Sequence, residues 1–320
     1  MIQSKNGMNE FPLLEESEGI TLFYPYISDK AKDEVLDTLN SRWIGQGPKV
    51  DLFEKKFSNK IAPNHFSIAT GSGTDSLHLS YILSNINRDD EVITPVFTCT
   101  ATNLPLLYEG AKPIFADIDP NTLNINVDDI EHRITKKTKA IVSVDYGGLP
   151  ANYEKLRDIC NAYNLIFISD AAQSLGTKYN GKPICEFADL TSYSFQAIKT
   201  ITTADGGMII IKDEKLYEQA KRLRWFGIDR NAKQKGIWEN DISEIGYKYQ
   251  MTDLSACLGI AALDDLDFLV NQRKLLLNEY INEIKNPNIK VLHIKDENGT
   301  SSSPWLCTLI VKERRKDLMN

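Results

Sequence analysis

From Phe66 to Ile211 short apolar runs alternate with longer amphipathic stretches, and this alternation constrains the fold more than any other feature. The runs lie at Phe66–Thr70, Glu91–Thr94, Ile114–Ile118, Ala140–Asp145, Leu165–Ser169, Leu190–Phe195 and Met208–Ile211. They are strand-sized and rich in Ile, Val and Phe, the pattern of strands buried on both faces. Helical patterns separate many of them, running to about Leu83 and over about Thr102–Glu109, Asn152–Tyr163 and Lys215–Arg224. Strands joined by helical crossovers predict an α/β fold with a large, mostly parallel sheet.

The flanks read differently. Residues 1–20 are polar and acidic and predict a loose arm. Ser28 can cap a helix over Asp29–Arg42 that carries Ala31, Val35 and Leu39 on one face. W-I-G-Q-G-P (Trp43–Pro48) is a turn able to approach a ligand, followed by a second amphipathic helix over Val50–Phe57. After Gly227 the chain is polar until an apolar helix from Thr252 to about Leu263 and a charged one over about Asp267–Ile284. Ile289–His293 and Trp305–Val311 read as two strands of a smaller α+β domain, with K-E-R-R-K-D-L-M-N starting a helix. The expected division is an arm (1–20), a large domain (21–250) and a small C-terminal domain (251–320). Two strands and a helical stub bury little apolar surface, so the small domain reads as incomplete, finished by a partner or cut short.

Composition closes off several classes of function. A net charge of −7 over 320 residues argues against general nucleic-acid binding. Five scattered cysteines without C-x-x-C spacing indicate neither a disulfide framework nor a metal site, which fits a reducing cytoplasm. No signal core and no membrane-length apolar run is found.

The chemistry-bearing residues follow strand ends, where open α/β sheets bind ligands. Asp170 follows the Leu165–Ser169 run, and Lys199 follows Leu190–Phe195. A carboxylate and a lysine at neighbouring strand ends suit pyridoxal 5'-phosphate: the acid pairs with the pyridinium nitrogen and the lysine binds the aldehyde and moves a proton. Either residue alone reads more readily as a surface lysine or a helix-capping aspartate. G-S-G-T-D-S (Gly71–Ser76) forms a phosphate cradle at a helix N-terminus, or an ordinary βα turn. If a helix starts at Asp170, Gln173 shares its face and can reach the ring hydroxyl oxygen. Ser194 is placed to supply a second phosphate ligand, and the Asp205-Gly206-Gly207 bend lets backbone pass close to the cofactor. The joint order of phosphate turn, acid, serine, lysine and Gly-Gly is the signal.

With W-I-G-Q-G-P, S-G-T-D-S-L, T-P-V-F-T-C-T-A-T, D-Y-G-G-L-P, S-D-A-A-Q-S-L-G, S-F-Q-A-I-K, D-G-G-M and G-Y-K-Y-Q-M-T-D-L-S-A-C-L-G, about Ile20–Leu269 resembles the DegT-type nucleotide-sugar aminotransferases, fold-type-I pyridoxal-phosphate enzymes. The resemblance implies that Lys199 holds the cofactor, Asp170 pairs with its nitrogen and Gln173 contacts its oxygen. Gly73, Thr74, Asp75 (through backbone) and Ser194 would surround the phosphate, and Gly45, Gln46 and Gln250 would face the substrate. Three departures stand out. Cys99 occupies the place of a ring-stacking aromatic. Lys248 replaces an asparagine that reaches the neighbouring subunit's phosphate, and Gln250 replaces an arginine. A relative with histidine for the lysine dehydrates instead; Lys199 favours transamination.

The reading is therefore a cytoplasmic homodimer with shared active sites, moving an amino group from a donor, glutamate, to a nucleotide-diphosphate keto sugar, with a 4-keto-6-deoxyhexose leading and a 3-keto sugar as the near alternative. The rival is an impaired homologue acting as a binding or scaffold protein. His78 is expected to pack, and His132 and His293 to be solvated. Trp225, Trp238 and Tyr247 with Arg222, Arg224, Arg230 and Lys235 form either a diphosphate-binding loop or a plain basic surface.

Overall fold

The computed structural model describes residues 23–230, 236–237, 242 and 244–319. The expected arm at 1–20 and the loop residues Lys235 and Trp238 lie outside them. Two helices lead in, α1 (Asp29–Ser41) and α2 (Pro48–Ile61). As expected, the Ser28 hydroxyl accepts the Ala31 amide at the head of α1. Strands and helices then alternate: β1 (Phe66–Thr70), α3 (Gly73–Leu83), β2 (Glu91–Pro95), α4 (Thr100–Tyr108), β3 (Lys112–Ala116), α5 (Val127–Ile130), β4 (Thr138–Val144), α6 (Tyr153–Tyr163) and β5 (Ile166–Asp170). A two-residue hairpin pair, β6 (Lys178–Tyr179) and β7 (Lys182–Pro183), precedes β8 (Leu190–Ser194), β9 (Gly207–Ile211) and α7 (Glu214–Leu223).

Seven strands form one sheet in the order β1-β9-β8-β5-β4-β2-β3. The pairs from β3 across to β8 are parallel, whereas β9 runs antiparallel to both β1 and β8. The reversal follows from its connection: β8 and β9 are joined by a turn rather than a crossover helix, so the chain must fold straight back. Along β9 the side chains divide by period two. Met208 and Ile210 enter the core beneath α2, and Ile209 and Ile211 enter the core beneath α3 and α7. Both faces are dry, which is why the strands read as unbroken apolar runs.

The C-terminal part carries α8 (Asp253–Asp264), α9 (Leu266–Glu283), the strand pair β10 (Ile289–Val291) and β11 (Leu309–Val311), and α10 (Arg315–Met319). Helix α8 packs on α1 and α2 and puts Ala256, Ile260 and Leu263 into the large core. Helix α2 starts at a glycine with no side-chain cap. Asp253 supplies the cap instead: its carboxylate accepts the amides of Gly47 at 2.8 Å, Val50 at 3.0 Å and Lys49 at 3.1 Å, and its own amide donates to Gly45 O at 2.7 Å.

The strand expected over Trp305–Val311 is shorter, because the residues before Leu309 pair elsewhere. Ser303 N donates to Gly148 O and Trp305 N to Gly147 O, with Pro304 between them lacking an amide hydrogen. This segment therefore runs against the large domain at the sheet's ligand edge.

Candidate active site

The carboxyl ends of β1, β5 and β8 bring together Gly71–Asp75, Asp170 and Ser194. Asp170 is 4% exposed. Thr102 Oγ1 donates to its Oδ2 at 2.7 Å and Ala172 N to its Oδ1 at 3.1 Å. Burial pushes this carboxyl up, opposed by those two bonds and then by the Lys199 charge. Lys199 is half-buried on the turn after β8, where burial pushes its amine down while Asp170, and then Cys99, pull it back. Acid and amine thus act on each other across the site.

No helix starts at Asp170. Residues 171–176 form turns closed by Ser174 N to Ala171 O and Thr177 N to Ser174 O. Gln173 is nonetheless buried beside the acid, with its Oε1 accepting the Gly147 amide at 2.7 Å. The phosphate turn opens α3, where Ser72 Oγ accepts the Asp75 amide at 3.0 Å. Two glycines here are required by space. A Cβ on Gly73 would lie 2.7 Å from Ser194 Cβ, and one on Gly207 would lie 2.3 Å from Ser72 O. Bare backbone therefore lets the helix N-terminus, Ser194 and the Gly-Gly bend close on one another. Thr74 and Asp75 are half-buried, and burial pushes the Asp75 carboxyl up to about 6.

Cys99 is exposed at the N-cap of α4. The remaining candidates make their contacts elsewhere. Lys248 Nζ lies 3.7 Å from the Trp225 ring centroid. Gly45 O and Gln46 O accept Asp253 N and Arg230 Nη2. Gln250 extends β1 through a bridge to Thr70, and the side-chain oxygens of Gln46 and Gln250 are buried without a partner. Two of the arginines expected in the basic loop are paired, Arg224 with Glu54 and Arg222 with Glu244, and Arg230 lies over the Trp225 ring. His78 is packed, bonded to Tyr249 Oη and Glu109, while His132 and His293 are exposed.

Sequence reasoning missed three residues. Thr102 lies in the T-C-T-A-T block and buttresses Asp170. Asp145, fully buried, accepts Ala151 N, Tyr153 Oη and Ser174 Oγ and is pushed up to about 6 chiefly by burial. Its D-Y-G-G-L-P motif was a usable signal. Trp305 covers Lys199, with Nζ 4.0 Å from its ring centroid.

The profile of the DegT/DnrJ/EryC1/StrS aminotransferase family matches residues 25–320. The chain belongs to this family. It is similar to the GDP-perosamine synthase of Escherichia coli O157:H7, at 35% identity over 94% of this chain and 81% of that protein. The structure of Helicobacter pylori PseC, an aminotransferase in the biosynthesis of pseudoaminic acid, aligns with TM-score 0.83 and 30% identity, covering 93% of this chain and 79% of that one. The PLP form of Streptococcus pneumoniae Spr1654 aligns with TM-score 0.83 and 33% identity, covering 92% and 78%. This DegT-family chain stands among the sugar aminotransferases that depend on pyridoxal phosphate. Its residues fit that group: a buried acid lacks a full countercharge, and a glycine-lined helix N-terminus faces a strand-end serine.

Proposed function

We propose that this aminotransferase converts a nucleotide-linked 4-keto-6-deoxyhexose to the amino sugar, with glutamate as donor, for polysaccharide assembly. The observation that carries the site assignment is the placement of buried Asp170 at the end of β5 and of Lys199 on the turn after the adjoining β8, beside Ser194 and the Gly73 helix start. The sugar class rests on kinship: a similar relative is named for GDP-perosamine, and another, the Bacillus subtilis protein SpsC, for spore coat polysaccharide biosynthesis.

Bound pyridoxal phosphate supplies an electron sink conjugated to the reacting nitrogen. Asp170, whose ionised form Thr102 and the Ala172 amide favour against the upward push of burial, would pair with the ring nitrogen and keep its proton in place. Gln173, fixed by Gly147, lies beside the ring oxygen. The amides of Gly73–Asp75 with the Thr74 and Ser194 hydroxyls hold the phosphate at the start of α3. Lys199 Nζ would hold the aldehyde of that group and carry the proton between the donor's Cα and the keto sugar's amine-bearing carbon; burial makes this amine readier to give up a proton, while Asp170 and then Cys99 keep it basic enough to take one. Gly45, Gln46 and Gln250 would line the sugar's side of the site, a role that rests on the family resemblance. Lys248 serves a neighbouring subunit's phosphate. A homodimer is supported by the exposed apolar residues Trp43, Ile44, Val96, Phe97, Leu107 and Tyr108. A cytoplasmic setting is supported by five free cysteines.

Borohydride reduction followed by peptide mass spectrometry tests the assignment. The expected result is cofactor mass on Lys199 and none on a Lys199→Ala chain; mass on another lysine overturns it. Incubation with glutamate and a nucleotide 4-keto-6-deoxyhexose should yield the amino sugar and 2-oxoglutarate. A product only from a 3-keto sugar would reassign the substrate.

A further inference from the structure

Trp305 is held on three sides. Its amide donates to Gly147 O at 2.9 Å, its indole Nε1 donates to Ile198 O at 2.7 Å, and its carbonyl accepts Arg273 Nη1 at 2.9 Å. Phe23 lies nearly parallel to the indole, with ring centroids 6.2 Å apart. The same Gly147 gives its amide to Gln173 Oε1, so the indole is built onto the loop that orients the residue beside Asp170. Against this fixed ring sits Lys199 Nζ, 4.0 Å from the centroid, within the range of a cation–π contact.

We propose that Trp305 is a positioning residue for the Lys199 amine, its indole face receiving the ammonium group whenever that amine is not covalently engaged. A lysine that alternates between a bound aldehyde and a free proton carrier must be caught each time it is released. An amine swinging loose on four methylenes would lose its aim at the reacting carbon. The indole provides the catching surface, and the Ile198 and Gly147 bonds prevent the surface from moving with its load. The inference rests on the reading of Lys199 as the reactive amine.

The groups that face Nζ are known from each packed element. Asp170 comes from β5, and the Cys99 thiol from the head of α4. Arg273, from α9, is engaged with the Trp305 carbonyl. Burial pushes the Lys199 amine down, and Asp170 and Cys99 push it up. A π face adds to the upward side, because it favours the charged form. A cavity of about 800 Å³ bounded by Lys199, Arg273 and Trp305 gives small reagents access.

The test is competitive acetylation of the full chain, freed of bound aldehyde, across pH, with the Lys199 peptide quantified by mass spectrometry. Trp305→Leu is expected to lower the apparent pKa of Lys199 by about one unit, an about tenfold change in the protonation ratio. Trp305→Phe, which keeps a ring and loses the Ile198 bond, should shift it by less than half as much. Because Trp305→Leu also removes volume, fluorotryptophan incorporation provides a second reading: it preserves shape while thinning the ring's electron density, and should lower the same pKa. Equal shifts in the Leu and Phe chains, or no shift with fluorotryptophan, overturn the proposal. Neither result depends on whether borohydride fixes the cofactor at Lys199, so the two assignments fail separately.

Discussion

Thr102 Oγ1 donates a 2.7 Å hydrogen bond to Asp170 Oδ2 across 68 residues of sequence. Both groups are buried, and Thr98 continues the chain of hydroxyls at 2.7 Å from Thr102. The acid therefore meets its ligand already oriented. Thr102→Val keeps the shape and deletes the donor. A bond to a charged group is worth about 1.5–3 kcal/mol, so cofactor affinity or kcat should fall about 10- to 100-fold. Cofactor titration by absorbance checks this; an unchanged affinity and rate would remove Asp170's buttress from the site.

The buried pair of Glu54 and Arg224 secures β1, the strand that ends in the phosphate turn. Glu54 Oε1 accepts Ala69 N at 2.8 Å, and Arg224 Nη1 also reaches Ala69 O at 2.7 Å. Burial pushes the Glu54 carboxyl up while the guanidinium holds it down. Arg224→Met strands a carboxylate and should cost about 3–5 kcal/mol in urea denaturation. Adding Glu54→Leu should restore part of the loss; a double variant as weak as the sum of its singles would contradict this account.

Asp253→Ala removes at once the carboxylate that accepts three backbone amides at the head of α2. A cap is worth about 1 kcal/mol and a charge-assisted bond more, so the expected loss is about 2–3 kcal/mol. Thermal and urea midpoints should both drop with the m-value unchanged. A loss below about 0.5 kcal/mol, the level of an ordinary surface change, would show that α2 is capped by other means.

Asp75 gives a pH signature. Its folded value is pushed from 3.8 to about 6, first by burial. The folded chain thus binds this proton more tightly than the unfolded chain. The ionisation penalty is absent below 3.8 and fully felt above about 6, so this group's contribution falls as pH rises through that window. Asp75→Asn should gain about 1 kcal/mol over the parent at pH 8, after discounting for solvent screening, and nothing at pH 4. Equal differences at the two pH values would place the penalty elsewhere.

The sheet was legible because burying both faces favours apolar residues along the strands, as in the Ile and Met of β9. The direction of β9 was not, because apolar content is the same whichever way a strand runs. Lys199, Asp170 and Ser194 could be found from their order after strands. Thr102 could not, since an alcohol becomes informative only when its distant partner is known, whereas Asp145 sits in a motif that pointed to it without giving its role. Trp305 fell inside a run that looks like a strand; its backbone bonds to Gly147 are a tertiary matter. The segment after Asp170 lacks a helix because its turn bonds bring Gln173 onto Gly147 instead.

Asp253 reaches back 206 residues to the amide of Gly47. Within the turn at Trp43–Pro48, Trp43 Nε1 donates to Gln46 O, but the amides of Gly47, Lys49 and Val50 rely on this distant carboxylate. During synthesis the second helix must wait, its leading amides open to water, until Asp253 has emerged. The head of the second helix is thus among the later pieces of the molecule to set.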